Sequence, residues 1–124
     1  MSGLTFDTGA LIGLERRKQR ISQVYRAAID DGRIVTVPAA VVTEWWRGRS
    51  DAKEKILKGL RVEALDGLLA KLAGEALGAI PEATTVDALV MASAACRGDV
   101  VYTTDVEDLT RLQGFFPAVR VLTA

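Results

Sequence analysis

Short runs of β-branched residues alternate along this chain with longer segments of helical period, and no other feature constrains its fold as much. Five runs predict strands, near Leu4–Phe6, Ile34–Val37, Arg61–Ala64, Val100–Thr103 and Val119–Leu122. The alternation is typical of βα units, so it predicts an α/β fold with a central, mostly parallel five-stranded sheet flanked by helices on both faces. With 124 residues, the chain is expected to form a single domain spanning residues 1–124.

The segments between these runs predict helices. The clearest lies between Leu65 and Ile80, where apolar residues recur at the spacing of one helix face, and a second lies between Ile21 and Ile29. Pro38 suits the first turn of a helix running toward Gly48. Asp51 is a suitable N-cap for another helix through Leu60.

The amino acids that the chain lacks narrow its chemistry. It has no histidine, which excludes Ser-His-Asp and Cys-His catalysis and histidine-ligated zinc. Its one cysteine, Cys96, cannot form an internal disulfide and is expected to be a buried, inert thiol. Acid–base chemistry must therefore come from carboxylates or metal-bound water.

The charge and hydropathy of the chain limit the binding partners and the cell compartment that can be expected. Basic and acidic residues are balanced at 16 each, so no global field attracts nucleic acid. Two local basic tracts, at residues 16–20 and 47–61, are either solvated helix surfaces or contacts for the phosphates of a polyanion. No apolar segment resembles a signal peptide or a membrane span, so a cytoplasmic protein without membrane contact is expected.

Four acids stand out because of their places in this pattern. Asp7 and Asp105 each follow a predicted strand and precede a helix, Asp87 begins an alanine-rich helix, and Glu44 lies on an apolar one. Ligands of open parallel sheets bind beyond the carboxyl ends of the strands. If the fold brings these carboxylates together, they can hold Mg²⁺ or Mn²⁺ for phosphodiester hydrolysis.

Each acid also has a purely structural explanation. Asp7 and Asp105 are suitable helix N-caps, and Asp87 would interact favourably with a helix dipole. Glu44 is either a surface residue or a buried carboxylate, which is costly unless it is paired or bound to a cation. Both interpretations stay open at this point.

With these motifs the chain resembles PIN-domain proteins, and in particular the VapC toxins of bacterial toxin–antitoxin pairs. The similarity covers the full length and rests on four motifs in order: Leu4–Ile12 with Asp7, Val41–Trp46 with Glu44, Val86–Ala92 with Asp87, and Val100–Asp105.

The resemblance implies a PIN-like fold and a metal-dependent endoribonuclease restrained by a cognate VapB-like antitoxin. Asp7, Glu44, Asp87 and Asp105 would be catalytic and would ligate Mg²⁺ or Mn²⁺, with Asp108 as an outer ligand. Thr103 would steady the site through its hydroxyl. Gly9 stands where such proteins often have Ser or Asn, so polar support from that side chain is missing.

The resemblance also implies partners other than the RNA substrate. Trp45, Trp46 and the helix from Ile21 to Ile29 are expected to leave apolar surface for a homodimer contact and for an antitoxin segment.

Other functional classes fit less well. A receiver domain requires clustered acids after the first strand and a late lysine, a haloacid-dehalogenase-type phosphatase requires Asp-x-Asp after that strand, and the glycine-rich nucleotide motifs are absent. A non-catalytic PIN-like module that binds RNA or a protein remains an alternative. Metal-dependent RNA cleavage distinguishes the two.

Overall fold

The computed structural model describes residues 2–124. These residues form five strands and seven helices. The strands are β1 (Leu4–Phe6), β2 (Val35–Pro38), β3 (Arg61–Glu63), β4 (Val100–Thr103) and β5 (Val121–Thr123). The helices are α1 (Thr8–Glu15), α2 (Gln19–Asp30), α3 (Ala39–Trp45), α4 (Asp51–Lys58), α5 (Gly67–Ala79), α6 (Thr85–Arg97) and α7 (Val106–Leu112).

The five strands form one parallel sheet in the order β3-β2-β1-β4-β5, which confirms the predicted α/β architecture. Because parallel crossovers are right-handed, the connections that run from β1 to β3 place α1 to α4 on one face. The connections from β3 to β5 run in the opposite direction and place α5 to α7 on the other face. The strand order therefore reverses between β1 and β4, and the crevice at that point opens at their carboxyl ends.

Local capping explains where several helices begin, and it corrects two predictions. The predicted cap at Asp51 is wrong, because the Ser50 side chain accepts the hydrogen bond from Lys53 N at 3.1 Å and Asp51 is already helical. Pro38 is the last residue of β2 rather than part of α3. Its fixed backbone conformation is compatible with both the end of a strand and the position before a helix.

The core lies between the sheet and both helix layers and includes Phe6, Leu11, Val41, Met91 and Val101. On α5, the buried residues are Leu69, Ala73 and Ala76. The predicted apolar face is wrong at its amino end, because Leu65 precedes the helix and Leu68 is 77% exposed. Sequence periodicity identifies a helix face but cannot show where the neighbouring helix stops covering it.

The prediction that Cys96 is buried is also wrong, since its side chain is exposed. The buried stretch of α6 runs from Ala88 to Ala94, and Cys96 lies beyond it in the last turn. Within residues 2–124, no helix has the length and apolar character needed to cross a membrane.

Candidate carboxylate site

Five carboxylates line one cavity of about 220 Å³. Its acidic residues are Asp7, Glu44, Asp87, Asp105 and Asp108, and it also includes Thr8, Gly9, Thr84 and Val86. Asp7 follows β1 and Asp105 follows β4, so the cavity lies where the strand order reverses. The structure thus brings together all five acids that the sequence singled out, and no lysine or arginine among the described residues lines this cavity.

Asp7 is the most restrained of these acids, with only 6% of its surface exposed. Its Oδ1 accepts a hydrogen bond from Ala10 N at 2.9 Å, and its Oδ2 accepts one from the Thr103 hydroxyl. Asp7 therefore caps α1 and faces the cavity at the same time. The two interpretations of Asp7, as a helix N-cap and as a cation ligand, are therefore compatible.

The pKa of Asp7 is raised from 3.8 to about 6, mainly by burial. The hydrogen bonds from Thr103 and Ala10 oppose this increase, and the negative charges of Asp87 and Asp105 contribute to it. The ionised form of Asp7 is consequently less favourable than that of an ordinary aspartate.

Asp105 differs from Asp7 although both occupy N-cap positions. Its backbone N–H donates to Thr103 Oγ1 at 2.8 Å, but its side chain makes no capping bond to the described part of α7. Thr103 thus connects the Asp7 carboxylate to the backbone of Asp105, and the cap explanation does not account for the Asp105 side chain. Asp108, one turn later, forms a 3.3 Å ion pair with Arg111.

Asp87 lies in the first turn of α6, where Thr84 is the cap and accepts a hydrogen bond from Asp87 N at 3.1 Å. Burial is the main cause that raises the pKa of Asp87, and the carboxylates of Asp108, Asp105 and Glu44 add to it. The opposing effect comes from Thr84.

Glu44 is exposed, because α3 directs Val41 and Trp45 into the core and leaves the Glu44 side chain beside the cavity. The Thr8 hydroxyl donates to Glu44 Oε1 at 2.6 Å. Sequence reasoning missed this role of Thr8, although a hydroxyl residue next to Asp7 was a visible signal.

Gly9 is explained by a close neighbour. A Cβ atom at this position would overlap Thr104 Oγ1 and lie 3.1 Å from Thr104 Cβ. Thr104 therefore occupies the space that a serine or asparagine side chain at position 9 would need, and glycine permits α1 to approach the β4–α7 connection closely.

The chemistry of the donors suits a hard divalent cation. The cavity offers carboxylate oxygens, which Mg²⁺ and Mn²⁺ prefer. Burial is the main cause that raises the pKa values of Asp7 and Asp87, repulsion between the carboxylates adds to it, and a bound cation would favour the ionised forms. Within residues 2–124, no three acidic or cysteine side chains are grouped closely enough to form a complete metal site in advance. The acids thus surround the cavity without converging on one point.

A larger cavity of about 600 Å³ adjoins the acids and shares Thr8 and Glu44 with their cavity. It is lined by the cationic residues Arg16, Arg47 and Lys53, which come from the two basic tracts seen in the sequence. Its wall also includes Trp45, a buried residue whose indole N–H donates to Glu15 Oε1 at 3.0 Å. The acidic cavity thus lies beside one that has three cationic residues and two carboxylates, Glu15 and Glu44.

Comparison with solved structures establishes the fold. A chain of VapBC2 from Rickettsia felis, solved bound to a DNA fragment from their promoter, matches with a TM-score of 0.80 at 11% identity, covering 98% of both chains. A chain of DNA-bound VapBC from Salmonella typhimurium matches with a TM-score of 0.73 at 20% identity, covering 99% of this chain and 98% of that one. A toxin–antitoxin complex from Klebsiella pneumoniae gives a TM-score of 0.74 at 18% identity, with 98% and 97% covered.

No protein-family model and no curated protein matches the sequence. At identities of 11% to 20%, structural similarity identifies architecture rather than activity. The chain has the PIN-like fold that its sequence resemblance implied.

Proposed function

We propose that this protein is a VapC-type toxin, a Mg²⁺- or Mn²⁺-dependent endoribonuclease that hydrolyses RNA phosphodiester bonds. The observation that carries the proposal is that one cavity is lined by five acids, Asp7, Glu44, Asp87, Asp105 and Asp108. These acids are dispersed in sequence and come from both helix layers and the centre of the sheet. The PIN-like fold shared with chains of toxin–antitoxin complexes supports the same conclusion by analogy.

In this proposal the protein positions its carboxylates through neutral hydroxyls. Thr103 restrains Asp7, and Thr8 restrains Glu44. Thr84 fixes the helix turn that carries Asp87. Such bonds hold the acids in place without neutralising them, so the negative charge stays available for Mg²⁺ or Mn²⁺.

The four predicted ligands Asp7, Glu44, Asp87 and Asp105 would hold the ion, with Asp108 in an outer position. When bound, Mg²⁺ or Mn²⁺ supplies an activated water and stabilises the charge that develops on the phosphate. Arg16, Arg47 and Lys53 would bind flanking phosphates of the RNA in the adjoining cavity, and acid–base chemistry needs no histidine.

The test is cleavage of end-labelled RNA by purified protein with Mg²⁺, with Mn²⁺ or with excess EDTA. Asp105→Asn should reduce the rate at least about a hundredfold, since an amide is a poorer ligand and removal of one stabilising group typically costs about that much. The Asp105 side chain makes no capping bond to described residues, so this variant should fold normally.

Asp31→Asn is a matched control, because Asp31 is exposed at the end of α2 and does not line the acidic cavity. Full activity in EDTA, or in Asp105→Asn, would contradict the proposal. RNA binding without metal-dependent cleavage would favour the non-catalytic PIN-like module instead.

We also propose that the protein binds a VapB-like antitoxin and forms a homodimer, as the full-length structural match to chains of VapBC complexes suggests. The predicted surface needs revision, because Trp45, Ile21 and Ala28 are buried in the core. Ile29 on α2 remains exposed beside a cavity of about 340 Å³ that includes Tyr25 and Ile56, and this surface is a candidate contact for an antitoxin segment.

A further inference from the structure

A separate polar cavity of about 320 Å³ lies at the opposite end of the sheet from the carboxylates. Gly3 precedes β1, Arg33 and Ile34 precede β2, Arg61 begins β3, and Asp99 precedes β4, so the cavity lies at the amino ends of the strands. Its remaining lining residues are Gly32, Thr36 and Arg97. Three arginines and one carboxylate thus line it.

The carboxylate of Asp99 is already fully engaged. Its Oδ1 accepts from Gly3 N at 3.2 Å, and its Oδ2 accepts from the Thr5 hydroxyl at 2.9 Å and from Arg97 Nε at 2.9 Å. Arg97 also donates to Glu63 and to Thr5 Oγ1. This network fixes Arg97 rigidly in the wall and leaves Asp99 little capacity to bind a cation.

The other polar side chains of the wall, Arg33, Arg61 and Thr36, have hydrogen-bond donors that no acceptor among the described residues uses. Within residues 2–124, Arg61 makes no ion pair or side-chain hydrogen bond, and Arg33 uses only Nε, which donates to Ser2 O at 2.8 Å. The Thr36 hydroxyl has no partner among the described residues although Thr36 is only 1% exposed. Buried polar atoms normally have partners, so a polar group bound in this cavity would find an unpaired hydroxyl in its wall.

We propose that this cavity is a binding site for a phosphate-type oxyanion. Arg33 and Arg61 contribute two positive charges that no described carboxylate neutralises, and guanidinium groups match tetrahedral oxyanions through paired N–H donors. Thr36, which lies on β2, supplies a neutral donor. The anion can be a free phosphorylated molecule or a phosphate of a polynucleotide, because both present the same oxygens.

The test is a titration of the full chain with inorganic phosphate, without divalent cations and with ionic strength held constant by chloride. Amide NMR signals of Gly3, Arg33 and Thr36 should shift together with one dissociation constant. Arg61→Gln should weaken binding about tenfold, the ratio that corresponds to loss of one charge-assisted hydrogen bond. Arg20→Gln removes an exposed arginine of α2 and should leave the constant unchanged.

Thr36→Val should fold like wild type, because valine has nearly the same shape and the lost hydroxyl has no partner within residues 2–124. Without phosphate, Thr36→Val should melt at the same temperature as wild type or higher. Added phosphate should raise the melting temperature of Thr36→Val less than that of wild type. Unchanged affinity in both Thr36→Val and Arg61→Gln, or no amide shifts in wild type, would overturn the proposal. Asp105→Asn must retain binding, which separates this site from the proposed nuclease centre.

Competition then identifies the source of the anion. Displacement of phosphate by AMP assigns a free phosphomonoester, and displacement by a short RNA with 5′-hydroxyl ends, in EDTA, assigns a backbone phosphate. Either result supports the site. If neither competes for the Thr36 and Gly3 signals, the phosphate bound there is an adventitious ion only and the proposal is wrong.

Discussion

At the scale of single residues, Asp7 combines a structural and a chemical role. It caps α1 through Ala10 N and accepts the Thr103 hydroxyl, yet it is buried beside other carboxylates. The hydrogen bonds from Thr103 and Ala10 lower the pKa of Asp7, but burial raises it by more. Ionised Asp7 therefore costs folding free energy when no cation is bound.

This cost predicts a specific dependence of stability on pH. The folded-state pKa of about 6 lies above the ordinary value of 3.8, so the folded protein binds the proton more tightly, and the contribution of Asp7 to stability falls as pH rises between those values. The total loss is about 3 kcal/mol. In EDTA, the stability gap between wild type and Asp7→Asn should shift in favour of the variant from pH 4 to pH 7, because the asparagine side chain does not ionise.

Urea unfolding of both proteins at several pH values measures that gap. A gap that is constant between pH 4 and pH 7 would show that Asp7 ionises at the same pH in the folded and unfolded chains.

Sequence predicted the residues of the carboxylate cavity better than their surroundings. Asp7, Asp87 and Asp105 were recognisable because each occupies a fixed place relative to a strand or a helix start. The network around Arg97 was not recognisable, because Thr5, Glu63 and Asp99 meet only after four strands have paired in register. The lack of a partner for the Thr36 hydroxyl was not recognisable either, because it depends on which groups surround Thr36 in the folded protein.

At the scale of elements, the contact between α1 and the β4–α7 connection depends on Gly9. A Cβ atom at position 9 would overlap the Thr104 hydroxyl. Gly9→Ala should therefore destabilise the protein by about 1–3 kcal/mol, the usual cost of overpacking, despite the better helix propensity of alanine. Thr104→Ala in the same chain should recover part of this loss, which a double-mutant cycle by chemical denaturation would measure.

Gly74→Ala is the matched control, because a Cβ atom there meets nothing within 4 Å and Gly74 lies on the exposed side of α5. It should stabilise the protein by about 0.5–1 kcal/mol. Equal effects of the two substitutions would contradict the close contact between Gly9 and Thr104.

The elements themselves were largely predictable, since strand runs and helical spacing are local properties of the sequence. All five strands occur close to their predicted positions, and the second helix ends at Asp30 before the Asp31-Gly32 turn. The errors concern helix ends and exposure, as at Asp51, Leu68 and Cys96. These depend on which neighbouring element competes for a cap or covers a face, and the spacing of residues does not contain that information.

At the scale of the whole molecule, exposed apolar residues between β3 and α5 suggest where two copies meet. Val62, Leu65 and Leu68 are exposed and lie close together in sequence between β3 and the first turn of α5. Such surface is commonly buried in symmetric homodimers.

We therefore predict a homodimer at about tens of micromolar, a concentration at which even weak association is detectable. Leu68→Glu should shift sedimentation velocity profiles toward monomer without changing the circular-dichroism spectrum. Ile29→Glu, which alters an exposed apolar residue of α2, is the control and should leave the dimer intact. A wild-type protein that sediments only as monomer, or a dimer broken by Ile29→Glu alone, would contradict this prediction.

The central position of β1 also affects when the carboxylate cavity can exist during protein synthesis. β1 is made before its partner β4, and Leu4 lies opposite Val100. Asp105 and Asp108 follow β4 and are made long after Asp7. At typical rates of about 5–20 residues per second, several seconds separate the synthesis of Asp7 from that of Asp105. A nascent chain therefore lacks a complete set of acids until Asp105 and Asp108 have been made, and the site can assemble only after β4 has paired with β1.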